Sequence, residues 1–257
     1  CQLSSKQYRI ALCLRLCIDT ATANSRCTTC PTCGLDLPSV PRVGDLPIDY
    51  HIETCGQDGK LSRRHNIVQT AIRLEAILRG QPSSLATKVK ESHPALVADL
   101  LFHNIPGRNG AAAVVVDVSI CHHSAAIPPN DPHDVPLASS AIREQDKVRK
   151  YKSHCDAIGL DFRPIVFEST GALGQSAKDF FSVLRAHSCT ISEYTTVSSE
   201  FNSLVRPIII ALHRAIADKF ITAARRYQGD TNRCLIGPLS SSEDPFEDVM
   251  YEGTDGF

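Results

Sequence analysis

Short apolar runs alternate with amphipathic stretches along most of the chain, and this alternation predicts an α/β fold. Residues 111–120 are almost all apolar and rich in valine, which is typical of a buried strand. A second apolar run covers 95–102, and the Pro106-Gly107 turn between the two runs predicts a β-hairpin. Residues 162–167 predict a further strand.

The remaining periodic stretches of the sequence predict helices. Apolar residues recur every three or four positions in five stretches, at 4–18, 61–79, 139–158, 175–188 and 201–228. Because helices both precede and follow the strand runs, the order predicts a mixed sheet flanked by helices.

Residues 27–56 lack this periodicity and carry too few apolar side chains to fold around a core of their own. Two pairs with metal-ligand spacing lie there, Cys30 with Cys33 and His51 with Cys55. Such a set can close a tetrahedral Zn²⁺ site, and zinc binding would supply the folding energy. Cys27 could replace Cys30, and free or disulfide-bonded cysteines are the alternative interpretation.

Composition is that of an ordinary globular protein, with 42% hydrophobic and 21% charged residues in 257. No apolar run approaches the length of a membrane span, and no secretory signal is visible, so we expect an intracellular protein without a membrane partner. Eleven cysteines, an odd number, favour a reducing compartment. Without the six acids of residues 240–257, 27 basic residues face 22 acidic ones, which permits a nucleic-acid partner.

Two acids interrupt the apolar runs of the predicted hairpin, Asp99 and Asp117. An uncompensated buried carboxylate costs on the order of several kcal/mol, so such an acid needs a partner. A hairpin can bring both carboxylates to one end of the sheet, where they would chelate Mg²⁺ for attack on a phosphodiester. Buried acids that cap loops or pair with arginine are the alternative.

Basic residues occupy two helices near these acids. Lys147 and Lys150 share one helical face, and either could position the attacking water or neutralise the transition state. The alternative is a solvated basic face. Candidate nucleic-acid contacts are Arg149 on that helix and three residues that begin another helix, Arg63, Arg64 and His65. His65 could equally be a capping or surface histidine.

The order of motifs resembles the C-terminal region of non-LTR retrotransposon reverse transcriptases that carry a restriction-enzyme-like endonuclease of the PD-(D/E)XK superfamily. The resemblance covers about residues 5–228 and rests on motif order, since no single motif is diagnostic. In order, the motifs are Cys-x-x-Cys-Gly, His-x-x-x-Cys, Arg-His-Asn, an Asp, Val-Asp-Val, Lys-x-x-Lys-Tyr, Gly-x-x-Phe-x-Pro and Glu-x-x-Gly. Nothing in the chain resembles the polymerase itself.

The resemblance implies a restriction-endonuclease-like α/β core at 61–190, preceded by a linker helix at 1–26 and a zinc knuckle at 27–60. A C-terminal helix at 191–235, the second of a helical pair, and a disordered acidic tail at 236–257 would follow. The implied zinc ligands are Cys30, Cys33, His51 and Cys55. The implied magnesium ligands are Asp99 and Asp117.

The catalytic lysine of this resemblance would lie on the helix as Lys147 or Lys150, and Lys150 is favoured because it precedes the tyrosine. Glu168 would lie near the metal. Two positions depart from the family pattern, since Ala98 stands where proline is usual and Ser119 occupies the usual lysine position.

The implied function is Mg²⁺-dependent nicking of a duplex DNA target to prime reverse transcription in the nucleus. Element RNA would be a second partner, and a reverse transcriptase module would normally share the polypeptide. The rival interpretation is a catalytically inactive, zinc-containing nucleic-acid-binding remnant.

Overall fold

A computed structural model describes residues 2–15, 30, 32–35, 47–57, 59–88, 96–111, 113–122, 137–188 and 197–229. Cys27 and the acidic tail at 236–257 lie outside the described residues.

The described elements form an α/β arrangement. In chain order the helices and strands are α1 (Ser5–Arg15), α2 (Pro47–Thr54), α3 (Lys60–Leu78), β1 (Ser83–Lys88), β2 (Val97–Phe102), β3 (Val114–Cys121), α4 (Ala138–Ala157), β4 (Asp161–Glu168), α5 (Gln175–Ala186) and α6 (Val197–Gly229).

The four strands form one mixed sheet in the order β1-β2-β3-β4. β1 to β3 form an antiparallel meander, and β4 joins β3 in parallel after the crossover through α4. The predicted hairpin is therefore confirmed, with Leu100 of β2 opposite Val116 of β3.

Two apolar cores cover the faces of this sheet. The larger core joins Val114, Val116 and Val118 of β3 to the apolar faces of α3, α5 and α6. The smaller core joins Val115 to Tyr151 and Cys155 of α4. Because strand side chains alternate, the odd-numbered residues of β3 face α4. Asp117 and Ser119 belong to that set.

The five predicted helices and three predicted strands are all present. Two elements were missed. β1 reads Ser-Ser-Leu-Ala-Thr-Lys, a polar edge strand with no apolar alternation, and α2 is eight residues long and begins with proline. Among the helices that the structure describes, none is both long and apolar enough to span a bilayer.

Candidate metal centre and active site

The first candidate site is a group of three cysteines and one histidine, Cys30, Cys33, His51 and Cys55. A tight turn presents the first two thiols, with hydrogen bonds from the Cys30 amide to the Leu35 carbonyl and from the Gly34 amide to the Cys30 carbonyl. The Cys55 amide donates to the His51 carbonyl at 2.7 Å, so one turn at the end of α2 brings the other two side chains to the same side.

The geometry of this Cys3His cluster fits a single ion. The four ligand atoms lie within 4.8 Å of one another, and Cys33 Sγ is 3.2 Å from His51 Nε2. Tetrahedral zinc, with Zn–S about 2.3 Å and Zn–N about 2.0 Å, separates its ligand atoms by roughly 3.5–3.8 Å. A small contraction would bring the four residues to that spacing. The cluster could therefore hold a metal ion, as the sequence predicts.

The side chains of the cluster differ in how readily they reach the protonation state that binds a metal ion. The Leu35 backbone amide hydrogen-bonds to the Cys33 thiolate and lowers its pKa, so this exposed thiol ionises readily. Burial lowers the pKa of His51, which keeps the imidazole neutral and able to donate a lone pair. Burial raises the pKa of Cys55, whose ionisation would therefore depend on the cation itself.

Buried ionic contacts attach α2 to the rest of the protein. Glu53, between His51 of α2 and Cys55 just after it, is fully buried and accepts a hydrogen bond from Arg64 Nη1 of α3 at 3.2 Å. The buried Lys219 ammonium of α6 donates to the Glu53 and Cys55 carbonyls at 2.9 and 2.6 Å. These bonds satisfy carbonyls that the helix end leaves open. The cluster is thus fixed to the helices that cover the sheet.

The second candidate site is centred on Asp117 of β3, which is 4% exposed. Lys147 of α4 places its ammonium 2.6 Å from Asp117 Oδ2. Burial raises the pKa of Asp117, Lys147 opposes that rise, and Asp99 adds to it. The carboxylate is therefore a buried anion whose charge is offset by one lysine.

Asp99 of β2 lies beside this pair. Its Oδ2 accepts hydrogen bonds from the Val118 amide at 2.6 Å and from His65 Nε2 of α3 at 2.9 Å. The Asp99 hydrogen bond is the largest cause that raises the pKa of His65. Among the described residues no hydrogen bond reaches Asp99 Oδ1.

The two acids come together on neighbouring strands. The β2–β3 register ends at the pair Leu100–Val116, so each acid lies one residue beyond the last paired position of its strand. The bond from Val118 to Asp99 joins the two positions directly. Repulsion between the two carboxylates contributes to the raised pKa of Asp117, so Asp99 and Asp117 lie near enough to interact electrostatically.

The lysine beside the acids is Lys147, whereas the sequence favours Lys150. Lys150 is exposed, and its ammonium lies 4.7 Å from the centroid of the Tyr151 ring instead. Arg149 is largely exposed and pairs with Asp146. Lys147 lies one turn before the buried Tyr151, and that spacing was a usable signal for the residue that faces the sheet.

Two other predicted site residues lie away from these acids. Arg64 is 6% exposed and paired with Glu53, whereas its predicted companion Arg63 is exposed. Glu168 pairs with Cys121 in the β3–β4 register, four residues beyond the partner of Asp117. That separation is about 13 Å along the strand, so Glu168 lies outside the group around Asp117.

Two residues that the sequence did not single out as site members complete this surface. Arg143 of α4 donates from Nε to Ser119 Oγ at 3.0 Å. The spacing of Arg143, Lys147 and Tyr151 at every fourth position was the available signal.

No family model matches the chain, and no curated protein matches it.

Proposed function

We propose that the chain is the endonuclease region of a non-LTR retrotransposon polyprotein and nicks one strand of duplex DNA in the presence of Mg²⁺. The observation that carries the proposal is the hydrogen bond from the Val118 amide to Asp99 Oδ2, which holds Asp99 beside the strand of Asp117, together with the Lys147 ammonium 2.6 Å from Asp117 Oδ2. Motif order and the mixed, helix-flanked sheet support it further. The restriction-endonuclease-like fold is part of this proposal.

In this mechanism Asp99 and Asp117 would hold Mg²⁺, which supplies Lewis acidity toward the phosphodiester. Lys147 holds Asp117 in place before the substrate binds, and its ammonium offsets negative charge that develops on the phosphate. His65 and the Val118 amide fix the orientation of Asp99. The Cys3His cluster would hold a structural Zn²⁺, because all four positions are filled by protein ligands.

Plasmid nicking by the purified chain, loaded with zinc and supplied with Mg²⁺, tests the proposal. Asp117→Asn and Asp99→Asn should each lower the nicking rate by about 10²-fold or more, because a ligand charge is lost at the reacting phosphate. Circular dichroism should show unchanged folding. Equal nicking by the parent and both variants would refute the mechanism.

The second candidate function is a zinc-containing nucleic-acid-binding module without catalysis. Ser119 favours it, because this serine stands where the resemblance places a lysine. The binding module predicts retention of labelled duplex DNA on filters without any metal-dependent nick. The endonuclease predicts both activities in the same preparation.

A further inference from the structure

β3 directs two polar side chains, Asp117 and Ser119, toward α4. Each of them contacts a different cation of that helix. Lys147 meets Asp117 at 2.6 Å, and Arg143 Nε meets Ser119 Oγ at 3.0 Å. Positions 143 and 147 lie one helical turn apart, and positions 117 and 119 share one face of the strand. The two contacts therefore form one continuous row across the helix–sheet boundary.

Arg143 differs from three other cations of α4 in the charge of its partner, and it differs from the exposed Lys150, which lies over the Tyr151 ring, in being held by the sheet. Lys147 pairs with Asp117, Arg149 with Asp146 and Lys152 with Asp156, so each of these positive charges faces a carboxylate. In the part of the chain that the structure describes, Arg143 makes no ion pair, and its side-chain hydrogen bond goes to a neutral hydroxyl. Its charge is therefore available to an anion.

The hydrogen bond to Ser119 also determines which nitrogens of the Arg143 guanidinium can bind a ligand. Ser119 is buried on a central strand, whereas Arg143 is exposed. Because Nε is used by Ser119, the two terminal nitrogens remain as a fork of donors, the arrangement that binds phosphate oxygens in pairs. Two residues of strand separate Ser119 from Asp117 by about 7 Å. An oxyanion held by this fork would lie beside the acids.

We infer that Arg143 binds a backbone phosphate of the DNA strand next to Asp99 and Asp117, and that Ser119 is the positioning residue that orients it. The inference rests on the proposed function, which identifies the bound anion as a phosphodiester of DNA. Phosphate binding is nevertheless a separate property from hydrolysis, and the two can be measured apart.

Salt-dependent binding of a labelled DNA duplex to the zinc-loaded full chain, without Mg²⁺, tests the inference. Arg143→Ala should weaken binding by about tenfold at low salt and reduce the slope of log K against log salt by about one, because one phosphate contact is lost. Arg143→Lys should retain most of the slope and lose part of the affinity. Lys152→Ala is the matched control, since position 152 lies on the opposite face of α4 and already pairs with Asp156.

A double-mutant cycle tests the role of Ser119. Ser119→Ala should weaken DNA binding a few-fold in the parent and have no effect in the Arg143→Ala background, because Ser119 acts only through Arg143. A merely structural serine would act equally in both backgrounds. Thermal unfolding of each variant checks that the fold is retained. Additive effects of the two substitutions would overturn the positioning role.

The outcomes separate this inference from the proposed function. If the parent nicks DNA and Arg143→Ala binds with an unchanged slope, the inference is wrong and the endonuclease stands. If the parent never nicks DNA but Arg143→Ala still loses one unit of slope, the endonuclease is wrong and Arg143 stands as a phosphate-binding residue.

Discussion

The Cys3His cluster and the acid site around Asp117 hold their polar groups by different means. The cluster joins a turn at Cys30–Cys33 to the short α2, and its Cys33 is exposed. Asp117 stands on a strand whose neighbours Val116 and Val118 lie in the main core. The cluster therefore depends on its ligands for its shape, while the acid site takes its shape from apolar packing.

This difference predicts different metal roles. A site with four protein ligands is closed and stabilises the fold. In the proposed endonuclease, two acids beside a lysine would leave coordination positions open for water and phosphate. Removing the metal should damage folding at the cluster. Removing a charge should damage chemistry at the acid site. Each experiment below tests one side of this comparison.

Metal removal from the cluster should have the largest effect. Cys33→Ala should lower the zinc content by one equivalent per chain and the unfolding temperature by many degrees, because structural zinc contributes on the order of 10 kcal/mol of binding free energy. Zinc content by elemental analysis and thermal unfolding are the measurements. Cys121→Ala, which removes a cysteine outside the cluster, should change neither by much. Equal results for both variants would contradict a structural zinc site.

Arg64→Ala should lower the free energy of unfolding by about 3–5 kcal/mol, because it removes the guanidinium paired with the buried Glu53 and leaves His122 Nε2, 3.7 Å from Glu53 Oε2, as the remaining ion-pair partner among the described residues. Burial already raises the pKa of Glu53 from 4.5 to about 7. The folded state thus holds a proton that the unfolded chain has lost between these values, and Glu53 makes stability fall as pH rises through that window. In Arg64→Ala the pKa of Glu53 should rise further, because the favourable charge is gone. The substitution should therefore lower the free energy of unfolding more at about pH 8 than at about pH 6. Urea titrations at both pH values measure it.

The matched control for that substitution is Arg63→Ala, which truncates the neighbouring exposed arginine. Its free energy of unfolding should stay within about 0.5 kcal/mol of the parent value. A similar loss in both variants would show that the Glu53–Arg64 pair is not what joins α2 to α3.

Lys147→Ala should slow nicking by about 10²-fold, which corresponds to about 3 kcal/mol of transition-state stabilisation. Lys150→Ala should slow it only slightly, because the Lys150 ammonium lies on the Tyr151 ring and not on Asp117. Single-turnover nicking rates with Mg²⁺ compare the two. A greater loss in Lys150→Ala would return the catalytic role to the residue that the sequence favoured.

His65→Ala should have the smallest effect, about 1 kcal/mol or less, because its side chain is partly exposed. The hydrogen bond to Asp99 raises the pKa of His65 above 6.5, so its contribution to stability is complete below 6.5 and lost as pH rises through the folded-state value. The substitution should therefore destabilise the zinc-loaded, magnesium-free protein more at about pH 5.5 than at about pH 8.5. An equal loss at both values would exclude a charged contact with Asp99.

Periodicity predicted most of the fold because burial imposes it on the sequence. The valines of β3 and the apolar stripes of α3 and α5 each face one core, so their spacing reports the element directly. β1 lies at the edge of the sheet, where Leu85 is exposed. Its sequence, Ser-Ser-Leu-Ala-Thr-Lys, has no apolar alternation to detect.

The site was predicted less completely, because partners distant in sequence decide it. Arg64 looks like a surface cation at a helix start until Glu53 of the cysteine-rich segment is placed against it. The choice between Lys147 and Lys150 depends on the rotation of α4 about its axis, which the buried Tyr151 sets. Local spacing fixes which side chains share a helical face, and only tertiary packing fixes where that face points.

The ion pair between α2 and α3 has a practical consequence for dissecting this protein. A fragment that starts at residue 61, where the sequence suggests a boundary, would keep the guanidinium of Arg64 and discard the only carboxylate that pairs with it among the described residues. It would also discard the two carbonyls that hold the Lys219 ammonium. The shortest expressible piece should therefore run from before Cys30 to beyond Lys219, with the sheet and the cysteine segment kept on one polypeptide.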